Sequence, residues 1–227
     1  MIMALESAPV PSADLKKIPL FAGLSDEQLR ALSERTAQRS FQKNAIVVNE
    51  GDLTDSLYLI LSGRVKVYLG DESGKELILD IKGPGQYFGE MVLDERARSA
   101  TVMTLEPAQF ATLSRSDFIA VLLKHPEIAL ELIRNLIRVA RGLNENVRSL
   151  ALLDVYGRVA RVLIELAVEQ EDGRLVIPEK LTQKDLANRV GASREMINRI
   201  LRDLSQGGYV TVDGGHITIN KTPPPRL

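Results

Sequence analysis

Two stretches of this chain carry residue types whose spacing could do chemistry. In SREMINRILRDLSQ, residues 193–206, Arg194, Glu195, Asn198, Arg199 and Arg202 fall on one side of a helix at about 100° per residue. Met196, Ile197, Ile200, Leu201 and Leu204 recur on the other side as a stripe to be buried. An arginine fork can donate to both acceptors of guanine in the major groove, and a glutamate can accept from the amino group of cytosine. Each good bidentate contact discriminates by roughly 1–3 kcal/mol. The same pattern also fits an ordinary helical corner with a solvated charged face. The second stretch is YFGEMVLDERARSAT, residues 87–101. Gly89 would let backbone approach a ligand closely, and free turn amides can hold phosphate. Arg98 offers a planar fork for that phosphate, Ser99 a hydroxyl donor, and Glu90 an acceptor suited to a ribose 2′-hydroxyl. Alternatively, Glu90 and Arg98 pair only with each other at the rim of a turn.

Each constellation needs elements to hold it. Ahead of residue 193, Thr182 can cap a short helix, with Asp185 three residues on in a variant of the capping box. Leu186, Ala187 and Val190 share its inward face, Gly191 turns the chain, and Ser193 caps the second helix. After Gly207-Gly208, YVTV and HITI read as two strands around an Asp-Gly-Gly turn. Helix, turn, helix and hairpin make a winged helix-turn-helix. Around the other stretch, AIVV, SLYLIL, VKVYL, LILDI and QFATL alternate with glycine turns from Phe41 to about Arg115, the signature of a small β-sandwich or barrel. SDEQLRALSERTA before it predicts a short helix capped by Ser25, with Leu29 and Leu32 inward. Asp117 is placed to cap another short helix, through Leu123.

Between the two regions lies a stretch with its own rhythm. Ala129, Ile133, Leu136, Ala140, Leu143, Val147 and Leu150 are spaced 4-3-4-3-4-3, a heptad seam on a helix beginning at Pro126. Leu130, Leu132 and Ile137 supply a second apolar face to pack on the barrel. A helix apolar on both sides predicts packing on its own domain and on a twin. Asp154 is a fresh N-cap, so a hinge is expected near Leu153–Asp154. The expected division is therefore 1–125 for the barrel, 126–153 for the helix and hinge, and 154–227 for the winged helix.

Composition narrows the function. The 227 residues, 44% hydrophobic, suffice for two modest cores. With no cysteine there is no disulfide, zinc ribbon or cysteine-ligated iron–sulfur cluster, and only His125 and His216 could serve a histidine metal site. A net charge of −1 argues against a general polyanion binder, so DNA contact must come from a local patch. No apolar run reaches the roughly 18 residues of a membrane span, and no leader pattern opens the chain, so a cytoplasmic protein without membrane partners is expected.

SREMINRILRDL is similar to the recognition helix of the cyclic-AMP-responsive branch of the CRP/FNR transcription regulators, through Ser193, Arg194, Glu195 and Arg199. Gly89, Glu90, Arg98, Ser99 and Ala100 resemble the phosphate-binding cassette of cyclic-nucleotide-binding domains, with a slightly shorter gap after Glu90. The resemblance extends over barrel, long helix, LALLDV hinge and winged helix, an α+β architecture. It implies a homodimer that reads a TGTGA-type palindrome in double-stranded DNA, works with RNA polymerase and is controlled by a cyclic nucleotide. The implied ligand residues are Gly89, Glu90, Met91, Arg98, Ser99, Leu143 and Asn144; the implied DNA residues are Thr182, Gln183, Lys184, Ser193, Arg194, Glu195 and Arg199. Cyclic AMP is the favoured effector and cyclic di-GMP, used by some relatives, the alternative; no metal, haem or iron–sulfur cofactor is implied. One position departs from the branch. Where its members place Thr-Ser against adenine, this chain has Leu143 and Asn144, and leucine cannot hydrogen-bond a base. A constitutive DNA-binding protein with a vestigial cassette therefore stays open. A cupin-like enzyme is the remote alternative, since the barrel stretch contains no histidine to cluster around a metal.

Overall fold

Ser25 accepts a hydrogen bond from the Gln28 amide while the Gln28 side chain accepts from the Ser25 amide, at 3.3 and 2.7 Å. This complete capping box starts α2, Asp26–Ser33, which follows the single turn α1, Ser12–Leu15, and buries Leu29 and Leu32. The computed structural model describes residues 9–72, 74–171 and 173–224. Helix α2 stops earlier than its sequence suggests. Thr36 and Ala37 instead open β1, Thr36–Phe41, which pairs along its whole length with β8, Ala108–Ser114. The polar run TAQRSF has no alternation to betray a strand; its partner strand decides.

Eight strands follow one another in the first half: β1, β2 (Ile46–Val48), β3 (Ser56–Ser62), β4 (Val65–Gly70), β5 (Glu76–Lys82), β6 (Tyr87–Phe88), β7 (Thr101–Thr104) and β8. They form two four-stranded sheets, ordered β1-β8-β3-β6 and β2-β7-β4-β5, a jelly roll. Val48, Tyr58, Ile60, Val65, Phe88, Val102 and Phe110 fill one core, with Tyr58 stacked on Phe88 at 4.9 Å between ring centroids. A second core joins α1, α2, β3 and β8 to α3, Arg115–Lys124, and to the start of α4, Pro126–Leu152. The cap of α3 is Ser114, which accepts from the Asp117 amide at 3.1 Å; Asp117 sits inside the helix and pairs with Arg35.

Helix α4 has 27 residues and opens on Pro126. Only Ile128 and Leu132 of its apolar side chains are buried, at 2% and 4% exposure. Leu130 and Ile137, expected against the barrel, are instead about half exposed. The core therefore takes a narrower stripe than the sequence suggested. Ile133, Leu136, Leu143, Val147 and Leu150 are exposed along the heptad seam.

The chain divides into two compact units, residues 1–70 with 78–139, and 71–77 with 140–227. In the second unit Asp154 caps α5, Val155–Leu166, by accepting from the Gly157 amide at 2.8 Å. Then come β9 (Val168–Glu169), β10 (Leu175–Ile177), α6 (Gln183–Val190), α7 (Arg194–Gln206), β11 (Val210–Asp213) and β12 (His216–Ile219). Gly214 and Gly215, both at positive φ, close a two-residue hairpin between Asp213 and His216. The sheet has order β11-β12-β10-β9, so two further strands, too short to read in the sequence, back the wing.

Candidate functional site

Two separate sites take shape, one in each unit. The helical corner of the second unit is built on its caps. Thr182 Oγ1 accepts from the Asp185 amide and the Asp185 carboxylate accepts from the Thr182 amide, at 3.1 and 2.9 Å. Gly191, at φ 66°, ends α6, and Ser193 Oγ accepts from the Met196 amide at 3.2 Å to start α7. Ile197, Ile200, Leu201 and Leu204 are buried against Leu186, Ala187, Val190 and the α5 residues Val159 and Leu163. Burial of such side chains contributes roughly 1.5–3 kcal/mol each, which fixes the rotation of α7 about its axis. Met196, assigned to that stripe, is 40% exposed and stands beside the polar face. Its place at the edge of the buried arc, next to Arg199, explains the difference.

Arg194, Glu195, Asn198, Arg199 and Arg202 are all exposed on one side. The amide of Glu195 and the Ser193 hydroxyl at the helix start hold the Glu195 carboxyl below its ordinary value, so it remains an acceptor at neutral pH. Gln183 Nε2 donates to Asn198 Oδ1 at 3.2 Å, joining the first turn of α6 to the exposed face of α7. This tie is invisible in the sequence, where the two residues are simply polar and fifteen positions apart. Thr182 and Lys184 share the exposed start of α6 with Gln183.

In the first unit, Gly89 has φ 86°, and a Cβ there would lie 2.7 Å from Arg98 Nη1 and 3.0 Å from the Ser56 carbonyl. Only glycine fits. Behind it Arg98 is 7% exposed. Its Nε donates to Thr54 Oγ1 at 2.6 Å, Nη1 to the Gly89 carbonyl at 3.1 Å and Nη2 to the Ser56 carbonyl at 2.5 Å. Burial lowers its pKa, yet guanidinium remains charged at any physiological pH. Glu90 and Arg98 form no ion pair, so the simple rim pair is not what holds this loop; the arginine braces it to β3 instead. Ser99 Oγ lies 3.1 Å from the sulfur of Met91, whose side chain is half exposed.

Gly89, Glu90, Met91, Arg98 and Ser99 meet around one cleft of about 90 Å³, floored by Val48, Val67 and Val102. Lys82, at the end of β5, lines the same cleft; its side chain is 15% exposed and its Nζ is 3.0 Å from Asp80. Sequence reasoning passed over it, since it lies one residue beyond the β-prone run LILDI. ELILDIK carries no signal of it, since Leu77, Leu79 and Ile81 alternate while Lys82 falls in phase with the polar Asp80. Leu143 and Asn144 lie on the exposed part of α4 that belongs to the second unit. Among the described residues no cluster of His, Asp and Glu could hold a metal ion, and no helix is long and apolar enough to cross a membrane.

Comparison with known proteins finds a family match in each half of the chain. Residues 38–125 match the model of the cyclic nucleotide-binding domain and residues 157–223 that of the Crp-like helix-turn-helix domain. A CRP-like cAMP-activated global transcriptional regulator of Mycobacterium tuberculosis is 33% identical over 210 residues, 91% of this chain and 94% of its own length. The cyclic AMP receptor protein of Thermus thermophilus is 31% identical over 208 residues, 91% and 94% of the two chains. Among solved structures, the catabolite activator protein of Thermus thermophilus has 29% identity and a TM-score of 0.54, covering 90% of this chain and 94% of its own. The c-di-GMP-responsive global regulator CLP of Xanthomonas campestris shares the fold, with a TM-score of 0.76 at 23% identity, over 86% of this chain and 99% of its own. These relatives are regulators rather than enzymes. With a cyclic nucleotide-binding domain joined to a Crp-like helix-turn-helix, this chain belongs to the CRP/FNR family of transcription regulators.

Proposed function

We propose that the chain is a homodimeric regulator that reads a TGTGA-type palindrome and is controlled by a cyclic nucleotide held at Gly89, Glu90, Met91, Arg98 and Ser99. The observation that carries the DNA reading is the exposed face of α7, where Arg194, Glu195 and Arg199 stand clear of the core that fixes the helix. Thr182, Gln183, Lys184 and Ser193 sit at the helix starts, placed for phosphate contacts that position without reading sequence. Residues 1–125 would take the effector, 126–153 would form the dimer helix and hinge, and 154–227 would bind DNA. The exposed apolar seam of α4 supports the dimer. Membership of the family supports RNA polymerase as a partner and the cytoplasm as the location.

Relatives named as cAMP-activated make cyclic AMP the first effector to test, with cyclic di-GMP beside it. Leu143, on the exposed side of α4, favours a second reading in which DNA binding is partly constitutive. The decisive experiment measures Arg194→Ala on a TGTGA palindrome and on random DNA, each with and without nucleotide. A loss of about 1–3 kcal/mol confined to the palindrome is expected. Equal loss on both DNAs would mean that Arg194 touches only phosphate.

A further inference from the structure

Lys82 is a cation that the phosphate end of the cleft does not require. The cassette loop supplies Gly89, Arg98 and Ser99 from one side, whereas Lys82, Val48, Val67 and Val102 come from the β2-β7-β4-β5 sheet. A phosphodiester seated on the cassette would turn its base toward the rest of this cleft, where Lys82 is the polar group that β5 contributes. Lysines on edge strands ordinarily point into water and discourage strand pairing. This one stands on the edge strand β5, yet its side chain is only 15% exposed and its ammonium is held by Asp80, its neighbour two residues back on the strand. An apolar residue would complete the floor; a lysine supplies donors alone.

Purines differ in what they offer such a group. Guanine presents two acceptors side by side, O6 and N7, while adenine presents N7 next to an amino donor. On this N7 edge an ammonium can approach both guanine acceptors but meets a like-signed hydrogen beside the one acceptor that adenine presents there. We propose that Lys82 makes this cleft selective for a guanine-bearing cyclic nucleotide over an adenine-bearing one. The proposal rests on the cassette reading above and narrows its ligand. Cyclic GMP and cyclic di-GMP share the guanine edge, so the ligands tested must tell them apart.

The test is calorimetry of the full chain with cyclic AMP, cyclic GMP and cyclic di-GMP, for wild type, Lys82→Met and Lys82→Arg. Wild type should bind one guanine ligand roughly tenfold to a hundredfold more tightly than cyclic AMP, the discrimination of a charge-assisted hydrogen bond. Lys82→Met should erase that ratio, and Lys82→Arg, whose fork also matches O6 and N7, should keep it. The stronger of the two guanine ligands identifies the source of the edge. Binding of cyclic AMP equal to or tighter than both guanine ligands overturns the proposal while leaving the cassette reading standing. So does a ratio that Lys82→Met leaves unchanged. No binding of any nucleotide to wild type overturns the cassette reading and this proposal together.

Discussion

Arg98 holds the cassette loop to the barrel as well as facing the cleft, and this dual position governs what its loss would do. Three of its five N–H groups are committed to Thr54, Gly89 and Ser56. Arg98→Leu would remove one donor from the Ser56 carbonyl and one from the Gly89 carbonyl, which keeps the Val92 amide at 3.1 Å, at about 1.5–3 kcal/mol for each charge-assisted hydrogen bond lost. The variant should therefore lose nucleotide binding and also melt at a lower temperature, a pair of effects that calorimetry and a thermal scan separate. Retained nucleotide affinity would remove Arg98 from the site. A neighbouring residue carries a pH signature. The Tyr87 hydroxyl, two residues before Gly89, is buried beside Asn135, and burial, helped by the Glu90 carboxylate and only partly offset by Asn135, pushes its pKa from 10.0 up to about 12. Because the folded state binds this proton more tightly, its contribution is complete below about pH 10 and is lost as pH rises toward 12. Tyr87→Phe removes both the buried hydroxyl and its titration. It should melt no lower than wild type at pH 7 and lose less stability above pH 10; an unchanged alkaline profile would count against the assignment.

At the scale of elements, α4 exposes Ile133, Leu136, Leu143, Val147 and Leu150 in heptad spacing. Leu136→Glu would set two like charges in that seam if it joins two copies, and sedimentation should then report monomers with weak operator binding. Unchanged mass would refute the seam. This helix also shows how far the sequence could be read. Its periodicity, the caps at Ser25, Thr182, Ser193 and Asp154, and the Gly214-Gly215 hairpin were all legible, because each is a local interaction written within a few residues. The strands β1, β9 and β10 were not, since a polar or three-residue strand is defined by its partner across the sheet. The same limit applied to the sites. Gly89, Arg98 and Ser99 stood out as a motif, but that Arg98 braces Ser56 and that Lys82 joins the cleft depends on long-range pairing. Asp117 looked like a cap until Ser114, three residues earlier, took the role.

For the molecule as a whole, an effector acts only through its different affinity for two states. If the seam joins two copies and cyclic AMP is the effector, Leu143 would add apolar area to the seam, worth about 1–2 kcal/mol whether or not nucleotide is bound, and could offer a base no hydrogen bond. Both effects would reduce the leverage of cyclic AMP. Measurable DNA binding without nucleotide and only modest stimulation by cyclic AMP are expected, and Leu143→Thr should lower the first and enlarge the second. Wild type silent on DNA until cyclic AMP raises its affinity a hundredfold would sink this prediction. The exposed seam has one more consequence, which concerns abundance. If the seam is covered by a twin, as proposed, folding is tied to mass action: the melting temperature should climb with protein concentration, and diluted protomers should exchange the amide hydrogens of α4 faster. A cell that made few copies would then hold a regulator weakened twice, by scarcity on the operator and by a looser helix in each copy, so its output would rise more steeply than in proportion to its expression.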